Sequence, residues 1–164
     1  DNDDLCPSQD LAALAYIDGD IRQLNTRWGI KPVWSKRLLI NAQGETVADK
    51  KTFRDAFKNH RCLVPCSGWY EWRDEGGPKK RKYAFKSADG ETFLMCGIWY
   101  DADPLPELVT LTTAPTKRCA EIHSRMPALI DMADRDAWFY DAPEEAEKLL
   151  VAADDSKILI EPCD

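Results

Sequence analysis

β-rich runs crowd the middle of this chain and decide what kind of core it can build. The runs at 62–64, 69–72, 83–86, 92–100 and 107–113 are dominated by aliphatic, aromatic and Thr residues, which suit a half-buried pleated surface. Pro65 and Gly68 separate the first two and predict a bend. Ala88-Asp89-Gly90 predicts a hairpin between the third and fourth, because Gly supplies the positive φ of a tight reversal. An earlier run, 24–30, alternates with Trp28 and Ile30 on one face. Helical patterns lie outside these runs. In 49–59, Phe53 and Phe57 fall at i, i+4 with Asp49 as the expected cap. Two more, 134–139 and 143–151, follow, the second opening on Pro143 with Glu144 and Glu145 near its positive end. Central strands with a few peripheral helices predict an α+β fold with a strand-rich, mixed or antiparallel sheet, not an alternating βαβ array.

No repeat, low-complexity tract or Gly/Ser linker divides the 164 residues, so one domain over 1–164 is expected. A chain of this length buries roughly two thirds of its unfolded surface and needs no staples. No apolar run reaches the ~18 residues of a membrane span. With 22 basic and 29 acidic residues the net charge is −7. That argues against a surface coated for nucleic acid, although a local basic groove acts through its own field. The basic runs at 79–82 and 50–61 read as solvated loop or helix faces. Of six cysteines, Cys62, Cys66, Cys96 and Cys119 sit in or beside apolar runs and are expected as buried free thiols of a reducing compartment. The spacing of Cys62 and Cys66, and of the two histidines at 60 and 123, matches no zinc site, so no metal is expected.

Three stretches carry unusual chemistry. In Leu38-Leu39-Ile40-Asn41-Ala42-Gln43-Gly44-Glu45-Thr46 an apolar run ends abruptly in an amide at Asn41; a locally satisfied turn Asn accounts for the same pattern. In Gly68-Trp69-Tyr70-Glu71-Trp72 a carboxylate lies among three aromatics, on the same strand face as Trp69. Poor hydration there would raise the pKa of Glu71 toward the range useful in acid–base work, whereas a wet strand face would leave it ordinary. Glu121-Ile122-His123-Ser124-Arg125-Met126-Pro127 holds one of two histidines, the side-chain type suited to proton transfer near neutral pH, and Arg125 can grip a phosphate, although a lone His is often structural. Together Asn41, Glu71 and His123 suggest proton transfer in a pocket without naming a substrate.

These stretches, in this order, resemble the SRAP family, the SOS-response-associated peptidase-like proteins that include abasic-site sensors. Arg27-Trp28-Gly29-Ile30, Pro32-Val33-Trp34, Leu39-Ile40-Asn41-Ala42, Arg61-Cys62-Leu63-Val64-Pro65 with Gly68-Trp69-Tyr70-Glu71-Trp72, Leu111-Thr112-Thr113 and Ile122-His123-Ser124-Arg125-Met126-Pro127 all match. The segment Asp4-Leu5-Cys6-Pro7-Ser8-Gln9 is also similar. The resemblance implies a strand-rich pseudo-barrel that binds single-stranded DNA at abasic sites in a surface channel. It further implies capture of the ring-opened sugar aldehyde by an N-terminal cysteine, whose amine forms a Schiff base and whose thiolate closes a thiazolidine. A vicinal amine and thiol hold the second nucleophile at high effective concentration.

On this pattern Asn41 holds the opened sugar or the cysteine, Glu71 shuttles protons and His123 assists ring opening and imine formation. Trp34, Gln43, Thr112, Arg125 and Arg27 are expected along the DNA, by stacking and phosphate contact. A monomer working in the cytoplasm near the replicating nucleoid, with no cofactor, is implied, together with self-removal of the N-terminal residue. Three features depart from the family pattern, one being Asp4 in place of an Asn, which puts another negative charge near a DNA channel. The chain begins at Asp1, so the expected cysteine would lie upstream of it, and Cys6 cannot replace it because its amine is a peptide nitrogen. Gln43 stands where the family usually has a phosphate-gripping Arg, which removes a charged contact. A diverged module that holds single strands without a covalent bond is the alternative reading, and a hydrolase acting on another substrate through Glu71 and His123 is a third.

Overall fold

The computed structural model describes residues 5–163. β1 (Asp10–Ile17) and β2 (Asp20–Trp28) form a full-length antiparallel hairpin. Its turn is Asp18-Gly19, both at positive φ, the conformation for which Asp-Gly is suited. β1 was not among the expected strands, and the expected strand at 24–30 instead runs from 20 to 28. Beyond it Ile30 makes only a single bridge to Leu39.

The other elements are β3 (Asn41–Gln43), α1 (Arg54–Asn59), β4 (Arg61–Cys66), β5 (Gly68–Arg73), β6 (Arg81–Ser87), β7 (Phe93–Tyr100) and β8 (Glu107–Thr113). After them come α2 (Lys117–Ala120), β9 (Met126–Pro127), β10 (Leu129–Ile130), α3 (Arg135–Tyr140), α4 (Pro143–Ala146) and β11 (Ile158–Pro162). In the larger sheet the order is β10-β7-β4-β1-β2-β8-β3, and an additional β7–β8 pairing brings the path back on itself. Five strands, β7, β4, β1, β2 and β8, therefore form a ring, antiparallel except where β2 meets β8. β11, β6 and β5 make a separate antiparallel sheet. This is the strand-rich, mixed-sheet α+β architecture expected from the sequence, and no helix among the described residues is long and apolar enough to cross a membrane.

Alternation decides what each ring strand buries. One cluster takes Ala13 and Ala15 from β1, Cys62 and Val64 from β4, Trp99 from β7 and Leu108 from β8, with Leu24 and Trp28 of β2 packed on it. These alternate positions line the inside of the ring, where the small side chains of Ala13, Ala15 and Cys62 leave space for Trp99. The opposite positions, among them Leu63, Cys96, Ile98, Val109 and Leu111, pack outward against Phe57 of α1 and Trp138 of α3. The ring is close-packed at Gly97, where an added Cβ would lie 3.1 Å from both Cys62 Sγ and the Val109 carbonyl oxygen. A buried guanidinium, Arg61, ties the helices on, donating to the carbonyls of Phe57, Trp138 and Asp141. Those carbonyls belong to the C-terminal ends of α1 and α3, which have no intrahelical partners of their own.

Several local expectations change. The turn at 88–90 forms, with Gly90 at φ +78°, but β6 and β7 belong to different sheets and do not make a hairpin. Instead Phe85 and Phe93 pack in one cluster with Trp69 against both, so the strands meet face to face. The helix predicted over 49–59 starts only at Arg54, with Phe53 and not Asp49 at its N-cap. Successive turns over 46–54 bond to the Thr46 and Lys50 carbonyls instead, while Phe53 and Phe57 both reach the core as their spacing predicts. The helix expected over 143–151 ends at Ala146 and tightens into a 3-10 turn at 147–149. Among the described residues no disulfide forms; Cys62, Cys96 and Cys119 are buried and Cys66 is half-buried.

Gly97→Val would force a branched side chain against Cys62 and the β8 backbone. It is expected to lower stability by about 1–3 kcal/mol, the usual cost of overpacking, read as a lower urea midpoint. An unchanged midpoint would show that the ring relaxes freely at this point.

Candidate functional site

The site grows from one end of β8. β3 pairs with it in parallel, placing Asn41 opposite Thr110, Ala42 opposite Leu111 and Gln43 opposite Thr112. Leu111 and Ala42 point into the core, so Asn41, Gln43, Thr110 and Thr112 share the other face. Thr110 donates its hydroxyl to Asn41 Oδ1 at 2.6 Å. With the amide oxygen engaged, the NH2 of Asn41 is the end left to meet a ligand. Gly44 follows, its N–H bonded to the Thr112 carbonyl. A Cβ there would approach that same carbonyl to 3.0 Å, so glycine lets the chain hug β8 and deliver Glu45.

Arg125 precedes β9, which pairs with the last residues of β8. Its Nε and Nη2 donate to Thr112 Oγ1, at 3.2 and 3.1 Å. Nη1 and Nη2 also donate to Glu45 Oε1 and Oε2, at 3.1 and 2.7 Å, the two-pronged geometry in which guanidinium and carboxylate match best. Glu45 accepts a further bond from the Ala114 N–H. The Arg125 guanidinium, through its hydrogen bonds above all, holds the Glu45 carboxyl below the usual range.

His123, at the turn after α2, lies with Nδ1 3.0 Å from the Arg125 carbonyl and 3.2 Å from the Arg125 N–H. These contacts fix the ring and aim Nε2 at Glu71 of β5, 3.6 Å from Oε2. That spacing suits an ion pair, or a proton passed through an intervening group. Glu71 is only 21% exposed, on the face of β5 that also carries Trp69, stacked on Phe85. Burial raises the pKa of its carboxyl, and the nearby His123 offsets that only partly. A carboxyl from the smaller sheet and an imidazole from the segment between α2 and β9 thus face each other near a guanidinium.

The structure therefore brings Thr112, Arg125, His123 and Glu71 into one line of contacts, with Asn41 and Gln43 on the adjacent strand. Trp34 stands 66% exposed on the loop between β2 and β3. Arg27 lies elsewhere: it is opposite Glu107, at the start of β8, and pairs with Asp10 at 3.5 Å. Two neighbours of the site were not picked out from the sequence. Thr110 had a signal, the Thr-Leu-Thr alternation of β8, whereas Glu45 is an ordinary acidic loop residue until the fold puts Arg125 opposite it. Among the described residues no three His, Cys, Asp or Glu side chains converge as a metal-binding group.

Comparison with known proteins establishes the family. The family profile for SRAP, SOS response associated peptidase, matches residues 2–163, and the chain belongs to this family. It is similar to the abasic site processing protein YoqW of Bacillus subtilis, with 27% identity over 144 residues covering 82% of this chain and 64% of the relative. The abasic site processing protein YedK of Escherichia coli is 30% identical over 116 residues, covering 68% of this chain and 52% of YedK. The chain thus spans between half and two thirds of the length of these relatives. Among solved structures, a protein of Bordetella bronchiseptica superposes with a TM-score of 0.84 at 19% identity, over 98% of this chain and 86% of its own. One from Bacteroides thetaiotaomicron gives 0.79 at 24% identity, over 96% and 75%. Both likenesses concern the fold.

Because the folded-state pKa of Glu71 lies above its unfolded value, the native state holds that proton more tightly. Stability therefore falls as pH rises from the ordinary carboxylate range through the raised pKa. Glu71→Gln removes this penalty. The variant is expected to melt above the wild type at about pH 8 and to lose that advantage as pH is lowered through the carboxylate range. A lower melting temperature at about pH 8 would mean that attraction to His123 outweighs burial.

Proposed function

We propose that this chain supplies the proton-transfer and strand-gripping part of an abasic-site processing protein. In this reading the protein binds single-stranded DNA and links covalently to the abasic sugar through an N-terminal cysteine lying upstream of Asp1. The observation that carries the reading is the Glu71–His123 pair, in which a carboxyl with a raised pKa faces an imidazole at 3.6 Å. The names of the matched relatives supply the substrate class.

The chemistry needs a group of this kind. The cysteine amine adds to the sugar aldehyde, giving a carbinolamine; loss of its hydroxyl as water then requires a proton. A carboxyl that keeps its proton nearer to neutrality than an ordinary Glu can donate it. The thiolate next adds to the imine carbon and closes a five-membered ring, and the nitrogen regains a proton, so one water leaves and no redox partner is needed. His123 takes up or returns protons across the pair, and the NH2 of Asn41 donates to the opened sugar. Arg125 and Thr112 meet the phosphate backbone with Gln43 beside them. Trp34 offers a ring for stacking, and Arg27 a charge farther along the strand.

The test uses the natural-length protein, from its own initiator Met, incubated with a single-stranded oligonucleotide carrying one abasic site. An adduct that survives denaturing electrophoresis and disappears when the N-terminal residues are deleted is expected. Binding without an adduct would favour the non-covalent module, and neither would overturn the reading. Glu71→Gln is expected to slow adduct formation by about 10²–10⁴; an unchanged rate would remove Glu71 from the mechanism. Gln43→Arg is expected to tighten single-strand binding and steepen its salt dependence. An identical salt slope would put position 43 away from the DNA.

A further inference from the structure

Arg125 is already occupied. A guanidinium has five N–H donors, and here four hydrogen bonds are made, two to Thr112 Oγ1 and one to each oxygen of Glu45. A DNA phosphate, which like a carboxylate offers paired oxygens to the guanidinium fork, would meet Arg125 with a single N–H to spare and its charge cancelled. The pair is nevertheless accessible, Glu45 being 48% and Arg125 25% exposed, so its partners can exchange with groups from solution. Glu45 sits in the turn that follows β3, its carboxylate held by Arg125, the Ala114 N–H and its own backbone N–H.

We propose that Glu45 is an internal stand-in for a backbone phosphate: its carboxylate fills the Arg125 fork in the free protein and is displaced when a strand binds. This rests on the proposed DNA-binding reading and adds to it a residue that sets affinity by competition. Thr112, which keeps its own two bonds to Arg125, holds the guanidinium in place during the exchange. Engaging a phosphate at Arg125 then releases a carboxylate into the strand's field, so this Arg contributes less to binding than its charge suggests. Such a device holds a half-buried arginine in one geometry without letting it grip stray anions.

The experiment measures noncovalent binding of an undamaged single-stranded oligonucleotide across a salt series, which keeps adduct chemistry out of the readout. Glu45→Gln is expected to tighten binding several-fold and to steepen the log–log salt slope by about 0.7, the contribution of one more phosphate on a single strand. In an Arg125→Gln background the same change should alter neither. A gain in affinity cannot come from loss of fold, so the result reads directly. Binding by Glu45→Gln that equals or falls below the wild type, with an unchanged slope, would overturn the inference and leave Glu45 as a support that positions Arg125. Absence of binding by the wild type and Glu45→Gln alike would overturn the DNA-binding reading itself.

Discussion

The pairing of β8 with four partners is the constraint on which the rest of the molecule depends. One edge carries β7 and then β9, the other β2 and then β3. At its first residues the strand closes the five-stranded ring; at its last it offers an open face to β3 and to the chain before β9. Alternation divides its seven residues between these duties. Val109 and Leu111 anchor the outer core, Leu108 fills the ring, and Thr110 and Thr112 present hydroxyls to Asn41 and Arg125. A rigid scaffold and a polar site share one strand because the strand outruns the ring.

The site is also where the fold accepts an electrostatic cost. Glu71 sits beside a stacked Trp69, where a carboxylate is poorly solvated, and His123 offsets only part of the penalty. Elsewhere the buried charge is fully engaged: Arg61 spends its donors on carbonyls at the ends of two helices. That contrast separates a charge fully bonded within the fold from a carboxyl whose burial favours its protonated form. Arg125 and Glu45 lie between the two, well bonded to each other yet open to solvent.

Much of the fold was legible along the chain. The strands near 62–64, 69–72, 83–86, 92–100 and 107–113 all form, because aromatic and branched residues flanked by Pro and Gly have few other choices. Turn chemistry read less well. Asp18-Gly19 carried as strong a hairpin signal as the chain holds and went unread beside the soft, Ala-rich β1. Ala88-Asp89-Gly90 turned the chain as expected but paired neither flank with the other. A turn dictates reversal over a few residues, whereas the choice of sheet rests on Phe85 and Phe93 packing across faces, a long-range gain that no dipeptide encodes.

By itself, the sequence determined the α+β class and singled out Asn41, Glu71 and His123 as an amide, a carboxyl and an imidazole in unusual settings. It did so because residue type and spacing of two or four are local properties. Only the tertiary structure decided that Glu71 and His123, 52 positions apart in number, face each other, one from β5 and the other from the segment before β9, and that Glu45 closes on Arg125. Burial and opposition of charge arise between segments distant in sequence, so a carboxylate's neighbours, and with them its pKa and its competitors, exist only once the chain has folded.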